Sequence, residues 1–167
     1  VVGCWDTKYL RCEFLNNSTN LSAGTEAAWE VRNLELAYAT QDFDLCFLRA
    51  ESIPPSFQPI PPANMERLTR GQEVIIFGCP YGQEGTITPG VLNQLRNDID
   101  TKPLLSLSAA INPGNSGGPV MTLFGEAAGV VVLKHGLADG IGYAVPASAV
   151  SESLHDLATL SPVHVQQ

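Results

Sequence analysis

Hydrophobic residues in the second half of the chain fall into short runs separated by turn-forming residues. Six of these runs predict β-strands, because they are short, rich in β-branched residues and bounded by Gly, Pro, Asn or Asp. They span residues 74–78, 86–95, 104–110, 119–124, 127–134 and 141–145. Gly125-Glu126 predicts a tight turn between the fourth and fifth strands. Since six strands with short connections suit a small closed antiparallel barrel, residues 71–147 predict a six-stranded β-barrel.

The spacing of apolar residues becomes helical after this barrel. Within residues 147–160, one helical face carries four apolar side chains, and Pro162 follows as a stop signal. These four are Val150, Leu154, Leu157 and Ala158. Residues 148–167 are therefore predicted to form a terminal helix and tail, with this stripe packed on the barrel.

The first part of the chain contains fewer strand-like runs, at residues 8–15, 28–38 and 44–49. A proline-rich connector follows at 53–70, and its prolines are incompatible with a sheet ladder. Three strands do not close a barrel, so residues 1–52 predict a partial N-terminal β-barrel. We expect its missing strands to come from a segment upstream of Val1 or from a partner. The absence of an initiator Met supports a processed or truncated N-terminus.

Composition narrows the class of protein. Hydrophobic residues make up 44% and charged residues 16% of the 167 residues, as in a folded globular protein. The net charge is −8 and no basic cluster exists, which disfavours nucleic acid as a partner. No apolar run reaches the roughly 18 residues of a membrane span.

The four cysteines do not indicate a metal or redox site. Cys4, Cys12, Cys46 and Cys79 contain no C-x-x-C pair, so a zinc or redox motif is unsupported. Cys46 lies in an apolar run and is predicted to be a buried free thiol. Cys4 and Cys12 have a spacing that allows pairing across neighbouring strands, and the sequence leaves their disulfide state open.

The strongest chemical signal is the segment Asn112-Pro113-Gly114-Asn115-Ser116-Gly117-Gly118-Pro119. A nucleophilic serine needs bare backbone around it, because the substrate carbonyl and backbone N–H groups must approach within about 3 Å. Glycine permits that approach and the unusual dihedral angles of a tight turn. The segment predicts Ser116 as a nucleophile, with the Gly114 and Ser116 N–H groups directed at the oxyanion. A plain Gly/Asn/Pro turn is the alternative.

The same residues also fit G-x-S-x-G, the nucleophile elbow of α/β-hydrolases. That motif requires a strand before the serine and a helix after it. Here the residues after Gly118 predict a strand, so the context disfavours the elbow.

Residues 109–120 resemble the serine loop of the HtrA (Deg) family of trypsin-like serine proteases. Further segments resemble that family in the same order, at residues 42–48, 71–82, 86–91 and 140–146. The resemblance covers roughly residues 30–160. It implies an all-β, chymotrypsin-like double β-barrel whose first barrel is incomplete here.

The resemblance also implies roles for individual residues. Ser116 corresponds to the catalytic serine, and Asp44 to the catalytic aspartate. Asp42 competes for the second role and otherwise corresponds to a turn residue. Gly114, Asn115 and Ser116 correspond to the oxyanion hole.

Two parts of the family pattern are missing from this sequence. The family's base histidine precedes its aspartate in a segment resembling Asn-x-His-Val-Val, whereas this chain opens with Val1-Val2-Gly3. We therefore expect the histidine just before Val1. The histidines present, His135, His155 and His164, all follow Asp44, and a substitute base among them stays an alternative because chain order varies between folds. The family's PDZ module is the second missing part.

The resemblance further outlines a substrate cleft. The residue six positions before the serine floors the primary pocket in this fold, and here it is Ala110. Because Ala110 carries no charge, we expect small or apolar side chains at the cleavage site. The other cleft residues that the resemblance implies are Asn112, Leu133, Lys134 and His135. For His135 the alternative is a position in a solvated loop, away from the substrate.

These observations support one main function and two alternatives. The first is a serine endopeptidase that acts on polypeptides through an acyl-enzyme, with no metal or cofactor implied. The second is a catalytically inactive, protease-like binding module without a base, and the third is an esterase of the α/β-hydrolase type. Members of the resembled family function in the periplasm, in organelles or outside the cell, often as homo-oligomers, and we expect the same here.

Overall fold

The structure, a computed structural model, describes part of the chain in detail. The described residues are 11–15, 29–40, 43–50, 52, 58–82, 85–99, 102–134 and 140–159. The chain divides into two compact units, Val1–Pro59 and Ile60–Gln167. Each unit is built around its own antiparallel sheet.

The first unit contains a three-stranded sheet. Its strands are β1 (Arg11–Leu15), β2 (Trp29–Thr40) and β3 (Leu45–Ala50), in the order β1-β2-β3. The predicted strands at 8–15, 28–38 and 44–49 overlap these three. Tyr38 and Phe47 are cross-strand partners with ring centroids 6.1 Å apart, and such aromatic pairs stabilise a sheet.

The prediction for Cys46 is wrong. Cys46 is a free thiol, but its side chain is exposed rather than buried. Leu45 occupies the buried position, and because strand side chains alternate between the two faces, the next residue points outward. An apolar sequence run therefore did not indicate burial at this strand.

The second unit is a closed barrel of six antiparallel strands. The strands are β4 (Glu73–Gly78), β5 (Thr86–Ile99), β6 (Lys102–Ala109), β7 (Pro119–Thr122), β8 (Ala127–Lys134) and β9 (Ile141–Pro146). They close in the order β4-β5-β6-β9-β8-β7. The predicted all-β class with a six-stranded barrel is confirmed.

Apolar side chains fill the interior of this barrel. Along β4, Val74 and Ile76 are buried while Glu73 and Phe77 are exposed, as the two-residue period of a strand requires. The other buried members of the core include Leu92, Leu105, Leu107, Val120, Val131 and Ala144. The barrel therefore encloses a packed core, and its loops carry the polar residues of interest.

Several predicted strand ends are wrong, and that of the fourth barrel strand has a clear structural reason. The fourth barrel strand was predicted to reach Phe124, but β7 ends at Thr122. The Thr122 hydroxyl accepts hydrogen bonds from the N–H groups of Phe124 and Glu126, both at 3.3 Å, and Gly125 adopts a φ of 81°. This arrangement closes the turn early, so that Leu123 and Phe124 lie on the turn with exposed side chains.

The terminal helix α1 spans Ala147–Thr159 and contacts β8 and β9. The predicted packing stripe is only partly correct, since Val150 and Leu157 are half-buried but Leu154 and Ala158 are exposed. The fully buried residues are instead Ala147, Ala149 and Ser153. Small side chains on this face let the helix backbone approach the strands closely. None of the helices in the described ranges is long and apolar enough to cross a membrane.

Candidate active site

The predicted nucleophile lies on the loop that joins β6 to β7. Within this loop the Asn115 N–H donates to the Asn112 carbonyl, and the Gly118 N–H donates to the Asn115 carbonyl, both at 3.0 Å. These bonds form two successive tight turns, and Ser116 is exposed between them. We call residues 113–118 the serine loop.

Strand β8 holds one side of the serine loop. The Gly117 N–H donates to the Val131 carbonyl at 2.8 Å, and the Val131 N–H donates to the Gly118 carbonyl at 2.9 Å. The Ser116 hydroxyl donates to the Val132 carbonyl at 3.4 Å. The nucleophile therefore faces the main chain of β8.

The end of β4 and the residues after it hold the other side. The Cys79 N–H donates to the Gly114 carbonyl at 3.0 Å, and the Tyr81 N–H donates to the Pro113 carbonyl at 3.3 Å. The fit is close, because a Cβ atom at Gly114 would overlap the Cys79 carbonyl oxygen and one at Gly118 would overlap the Phe77 carbonyl oxygen. Only glycine fits at these two positions without moving the backbone.

This packing leaves two main-chain donors of the serine loop available. Gly114 has a φ of 103°, which is accessible to glycine and strained for other residues. Among the residues that the structure describes, none accepts a hydrogen bond from the N–H of Gly114 or of Ser116. The N–H between them, that of Asn115, is already bound to Asn112. Two unused donors flanking a serine are what an oxyanion hole requires.

Asn115 links the serine loop to the segment that follows β6. Its side chain is only 1% exposed, and its Nδ2 donates to the Ala110 carbonyl at 3.4 Å. The Nδ2 of Asn112 approaches the same carbonyl at 3.5 Å. The Asn115 Oδ1 atom has no hydrogen-bond partner and lies against Gly78, where a Cβ atom would overlap it.

The segment after β6 is held on the core side of the barrel by an apolar contact. Ile111 is buried in the barrel core, and a Cβ atom at Gly142 on β9 would overlap its Cδ1 atom. The neighbouring Ala110 is exposed. Ala110 thus presents a methyl group at the surface while its carbonyl is held by the two amides.

The other predicted site residues lie in both units, and two of them lie outside the described residues. Asp44 belongs to the first unit, where it is exposed just before β3 with a left-handed φ of 52°, a conformation that aspartate tolerates. Leu133 and Lys134 end β8 and pair with Tyr143 and Gly142 of β9. His135 and His164 lie outside the described residues, and His155 is exposed on α1. Among the described residues no group of three His, Cys, Asp or Glu side chains could hold a metal ion.

Sequence reasoning did not identify the residues that support the serine loop from β4. Gly78 was predicted only as the end of a strand, and Cys79 and Tyr81 only as parts of a segment that resembles the family. The two glycines around Pro80 indicate a tight turn at this point, but no local pattern indicates which distant loop the turn contacts. Cys79 is a free and exposed thiol.

Comparison with known proteins identifies the family and the fold. Residues 12–130 match the model of the trypsin-like peptidase domain. The chain is 32% identical over 133 residues to the chloroplastic Protease Do-like 1 of Arabidopsis thaliana, with 74% of this chain and 30% of that protein covered. It is 36% identical over 101 residues to a probable periplasmic serine endoprotease DegP-like of Rhizobium meliloti, with 57% and 20% covered. The chain thus spans less than a third of the length of these relatives.

Solved structures show the same fold at lower identity. The HtrA-type protease AlgW with decapeptide superposes with a TM-score of 0.73 at 22% identity, over 79% of this chain and 42% of that one. The active form of the Rv3671c protease from M. tuberculosis gives 0.71 at 23% identity, over 83% and 64%. The predicted chymotrypsin-like fold and the resemblance to HtrA proteases are confirmed. With the family model matching most of its length, the chain belongs to the trypsin-like peptidase domain family.

Proposed function

We propose that this chain carries the nucleophile half of a serine endopeptidase that cleaves polypeptides through an acyl-enzyme. The observation that carries this proposal is the serine loop, in which the exposed Ser116 lies between β8 and the Cys79 segment beside two unused main-chain donors. A plain exposed turn also leaves N–H groups to the solvent, but here the two donors lie beside a serine in a loop that is fixed on both sides. The confirmed family supports the same function.

In the proposed reaction the Ser116 hydroxyl attacks the scissile carbonyl carbon. The developing oxyanion accepts hydrogen bonds from the Gly114 and Ser116 N–H groups, while Asn115 fixes their spacing. A histidine base takes the serine proton and later donates it to the leaving amine, and Asp44 orients that histidine. Water then releases the acyl group by the reverse sequence of proton transfers.

We place the base histidine outside these 167 residues. No histidine precedes Asp44 in the sequence, and the relatives are more than three times as long as the part of them that the chain covers. A segment N-terminal to Val1, or a partner, would supply both the histidine and the missing strands of the first barrel. Serine is a weak nucleophile without such a base, so this segment is needed for activity.

A protease-like binding module is the second candidate. The Ser116 hydroxyl is bound to the Val132 carbonyl, an acceptor that cannot serve as a general base. If no histidine is supplied, the cleft would still bind an extended peptide but would cleave it extremely slowly. The two candidates share the same binding surface and differ in the fate of the bound peptide.

Ala110 sets the proposed preference at the cleavage site. Its methyl group is exposed, and its carbonyl is held by the amides of Asn112 and Asn115. Because its side chain is small and uncharged, it offers nothing to balance a Lys or Arg side chain. We expect small or apolar residues to be accepted, with Leu133, Lys134 and His135 along the acyl side of the cleft.

The relatives also suggest where the protein acts. The names of two of them place those proteins in the chloroplast and the periplasm. We extend this to the chain as an organellar, periplasmic or secreted location. A homo-oligomeric state stays a prediction from the resemblance.

The test is covalent labelling of Ser116 with a fluorophosphonate probe, located by peptide mass spectrometry. The chain as given and a form extended by any residues that its gene encodes before Val1 are compared, with Ser116→Ala as the control. Labelling of the extended form alone would support the endopeptidase and an upstream base. Labelling of neither form would favour the binding module, and labelling that persists in Ser116→Ala would exclude Ser116 as the nucleophile.

A further inference from the structure

Tyr81 combines two unusual properties beside the serine loop. Its side chain is 74% exposed, although tyrosine is a large and partly apolar residue. Its backbone is left-handed, with φ 54° and ψ 29°, within the short 3₁₀ turn Pro80–Gly82. A bulky residue in this region is a rare outlier, and such outliers concentrate at ligand-binding and catalytic sites.

The position of Tyr81 is fixed by the serine loop itself. Its N–H donates to the Pro113 carbonyl at 3.3 Å, and two residues earlier the Cys79 N–H donates to the Gly114 carbonyl. These are main-chain contacts, so they hold the residue without using its ring. The ring is therefore available for a different role.

The serine loop lies between two walls. Strand β8 borders Ser116 on one side, and the segment of residues 77–81 borders Gly114 on the other. A peptide bound across the serine has an acyl side and a leaving-group side, which run in opposite directions from the scissile bond. With the acyl side along β8, as in the proposed function, the leaving-group side crosses Gly114 towards Tyr81. An extended peptide advances about 3.3 Å per residue, so successive leaving-group residues would lie progressively further from Ser116 in this direction.

Exposed apolar side chains also lie on the two strands that the segment after β4 connects. Phe77 and Ile87 are cross-strand partners on the outer face of β4 and β5, and both are exposed, by 37% and 56%. They flank the segment where it leaves β4 and where it enters β5. Tyrosine is suited to bind in such a place, because its ring offers a large contact area at low entropic loss.

We propose that Tyr81 is a specificity-determining residue that contacts the leaving-group side of bound polypeptides and favours aromatic or apolar residues in the first two positions after the scissile bond. The inference rests on the proposed function for the direction of the peptide. The role of Tyr81 is additional to the proposed function, because Tyr81 belongs neither to the serine loop nor to the β8 side of the cleft.

The test separates contact with the leaving group from support of the serine loop. The form extended upstream of Val1, and the same form with each substitution, is assayed with two substrates that share one acyl sequence. The first ends in an ethyl thioester, whose small aliphatic leaving group is measured as free thiol, and the second continues with Phe-Leu or Ser-Gly in an internally quenched peptide. For Tyr81→Ala we expect kcat/KM to fall about three- to tenfold on the Phe-Leu peptide, as for loss of an aromatic contact. The thioester substrate should stay within about twofold, because its ethanethiol leaving group is too small to contact Tyr81.

Matched variants complete the experiment. Tyr81→Phe keeps the ring and should retain the preference for Phe-Leu over Ser-Gly. Tyr81→Asn also tolerates the left-handed backbone, but it lacks the ring and should lose that preference. Phe124→Ala removes an exposed aromatic residue from the β7–β8 turn and should change neither substrate. An equal loss on both substrates in Tyr81→Ala would show that Tyr81 supports the loop and would overturn the proposal, as would an unchanged preference.

A binding measurement keeps the proposal testable if the form extended upstream of Val1 cleaves neither substrate. That result would refute the proposed endopeptidase activity by itself. Fluorescence anisotropy of labelled Phe-Leu and Ser-Gly peptides with Ser116→Ala then measures recognition alone. If Ser116→Ala binds the Phe-Leu peptide more tightly than the Ser-Gly peptide, and the double variant Ser116→Ala/Tyr81→Ala does not, the role of Tyr81 is supported. Equal binding of both peptides by Ser116→Ala would overturn it.

Discussion

The buried side-chain amide of Asn115 donates a hydrogen bond of 3.4 Å to the main-chain carbonyl of Ala110. The residue next to the proposed nucleophile is thereby joined to the residue proposed as the floor of the primary pocket. The bond requires a donor at Nδ2, because its partner is a carbonyl oxygen. A change at position 115 should consequently disturb both the pocket and the serine loop.

Asn115→Asp should destabilise the chain in a pH-dependent way. A carboxylate at this buried position has no proton to donate to the Ala110 carbonyl, and we expect a loss of about 1–3 kcal/mol near pH 7. Burial and the facing carbonyl favour the neutral form, so the folded pKa of the introduced carboxyl should lie above its unfolded value. The deficit relative to the parent should therefore shrink as the pH falls from about 7 to about 4, where the protonated group can donate.

Urea unfolding of the parent, Asn115→Asp and Asn115→Ala across this pH range measures the effect. Asn115→Ala removes the donor without adding a titrating group, so its deficit should not vary with pH. A deficit of Asn115→Asp that stays constant, or that grows on acidification, would contradict the assigned hydrogen bond.

Gly118→Ala should be more damaging than Gly117→Ala, although the two residues are adjacent. A Cβ atom at Gly118 would overlap the Phe77 carbonyl oxygen, whereas one at Gly117 would meet nothing within 4 Å. We expect a loss of about 2–3 kcal/mol for Gly118→Ala from overpacking against backbone. Gly117→Ala should lose about 1 kcal/mol, from its left-handed φ of 82°. Equal losses of unfolding free energy for the two variants would show that the serine loop does not pack on β4.

Gly114→Ala should abolish labelling of Ser116 in the form that is labelled. Its Cβ atom would overlap the Cys79 carbonyl oxygen, so the loop must move, and the Gly114 N–H would leave the oxyanion position. Loss of one such donor reduces the rate about 100- to 1000-fold in a serine protease. Gly71→Ala is the control, because Gly71 also has a positive φ, of 82°, but has nothing within 4 Å of its Cβ position. Similar labelling rates for the two variants would argue against the oxyanion role.

Gly142 and Ile111 should show energetic coupling. Gly142→Ala places a methyl group against the Cδ1 atom of Ile111, and we expect it to destabilise the parent by about 1–3 kcal/mol. In an Ile111→Ala background the space is open, so the same change should have a smaller effect. A double-mutant cycle on unfolding free energies should give a coupling of about 0.5–3 kcal/mol, and additive effects would mean that the two residues do not meet.

Ala110→Asp tests the proposed preference at the cleavage site. A carboxylate at the pocket floor should pair with Lys or Arg, so the ratio of kcat/KM for Lys over Val substrates should rise by about tenfold. The parent in the form extended upstream of Val1 should cleave after small or apolar residues. Strong cleavage after Lys or Arg by the parent would refute the role of Ala110.

The barrel was predictable because its signals are local. Alternating residues such as Val74 and Ile76, bounded by turn residues, placed all six strands, and the glycines around Ser116 marked the nucleophile. The errors at Phe124 and Leu154 have a different origin. At Phe124, the Thr122 side chain ends the strand early through its hydrogen bonds in the turn. On α1, the buried residues are small ones rather than large ones. Both effects depend on three-dimensional packing.

The supporting wall of the site was not predictable for a related reason. Cys79 and Tyr81 approach Gly114 and Pro113 across more than thirty positions of sequence, through main-chain atoms that every residue except proline possesses. Such contacts leave no trace in residue type. The only sign of these contacts in the sequence is the glycine at positions 114 and 118. Glycines around a nucleophilic serine are also explained by the approach of the substrate, so they did not indicate a contact with β4.

The main-chain anchoring of the serine loop has a consequence for how this protein can vary. Apart from the bond of the Ser116 hydroxyl to the Val132 carbonyl, every bond that holds the loop to β8 and to the 77–81 segment joins backbone atoms. The identity of the side chains at Cys79, Tyr81 and Val132 therefore does not enter the geometry of the nucleophile. A library that varies these three positions, without proline at 79 and 81, should therefore contain many folded members that share one catalytic geometry and differ in the peptides they accept.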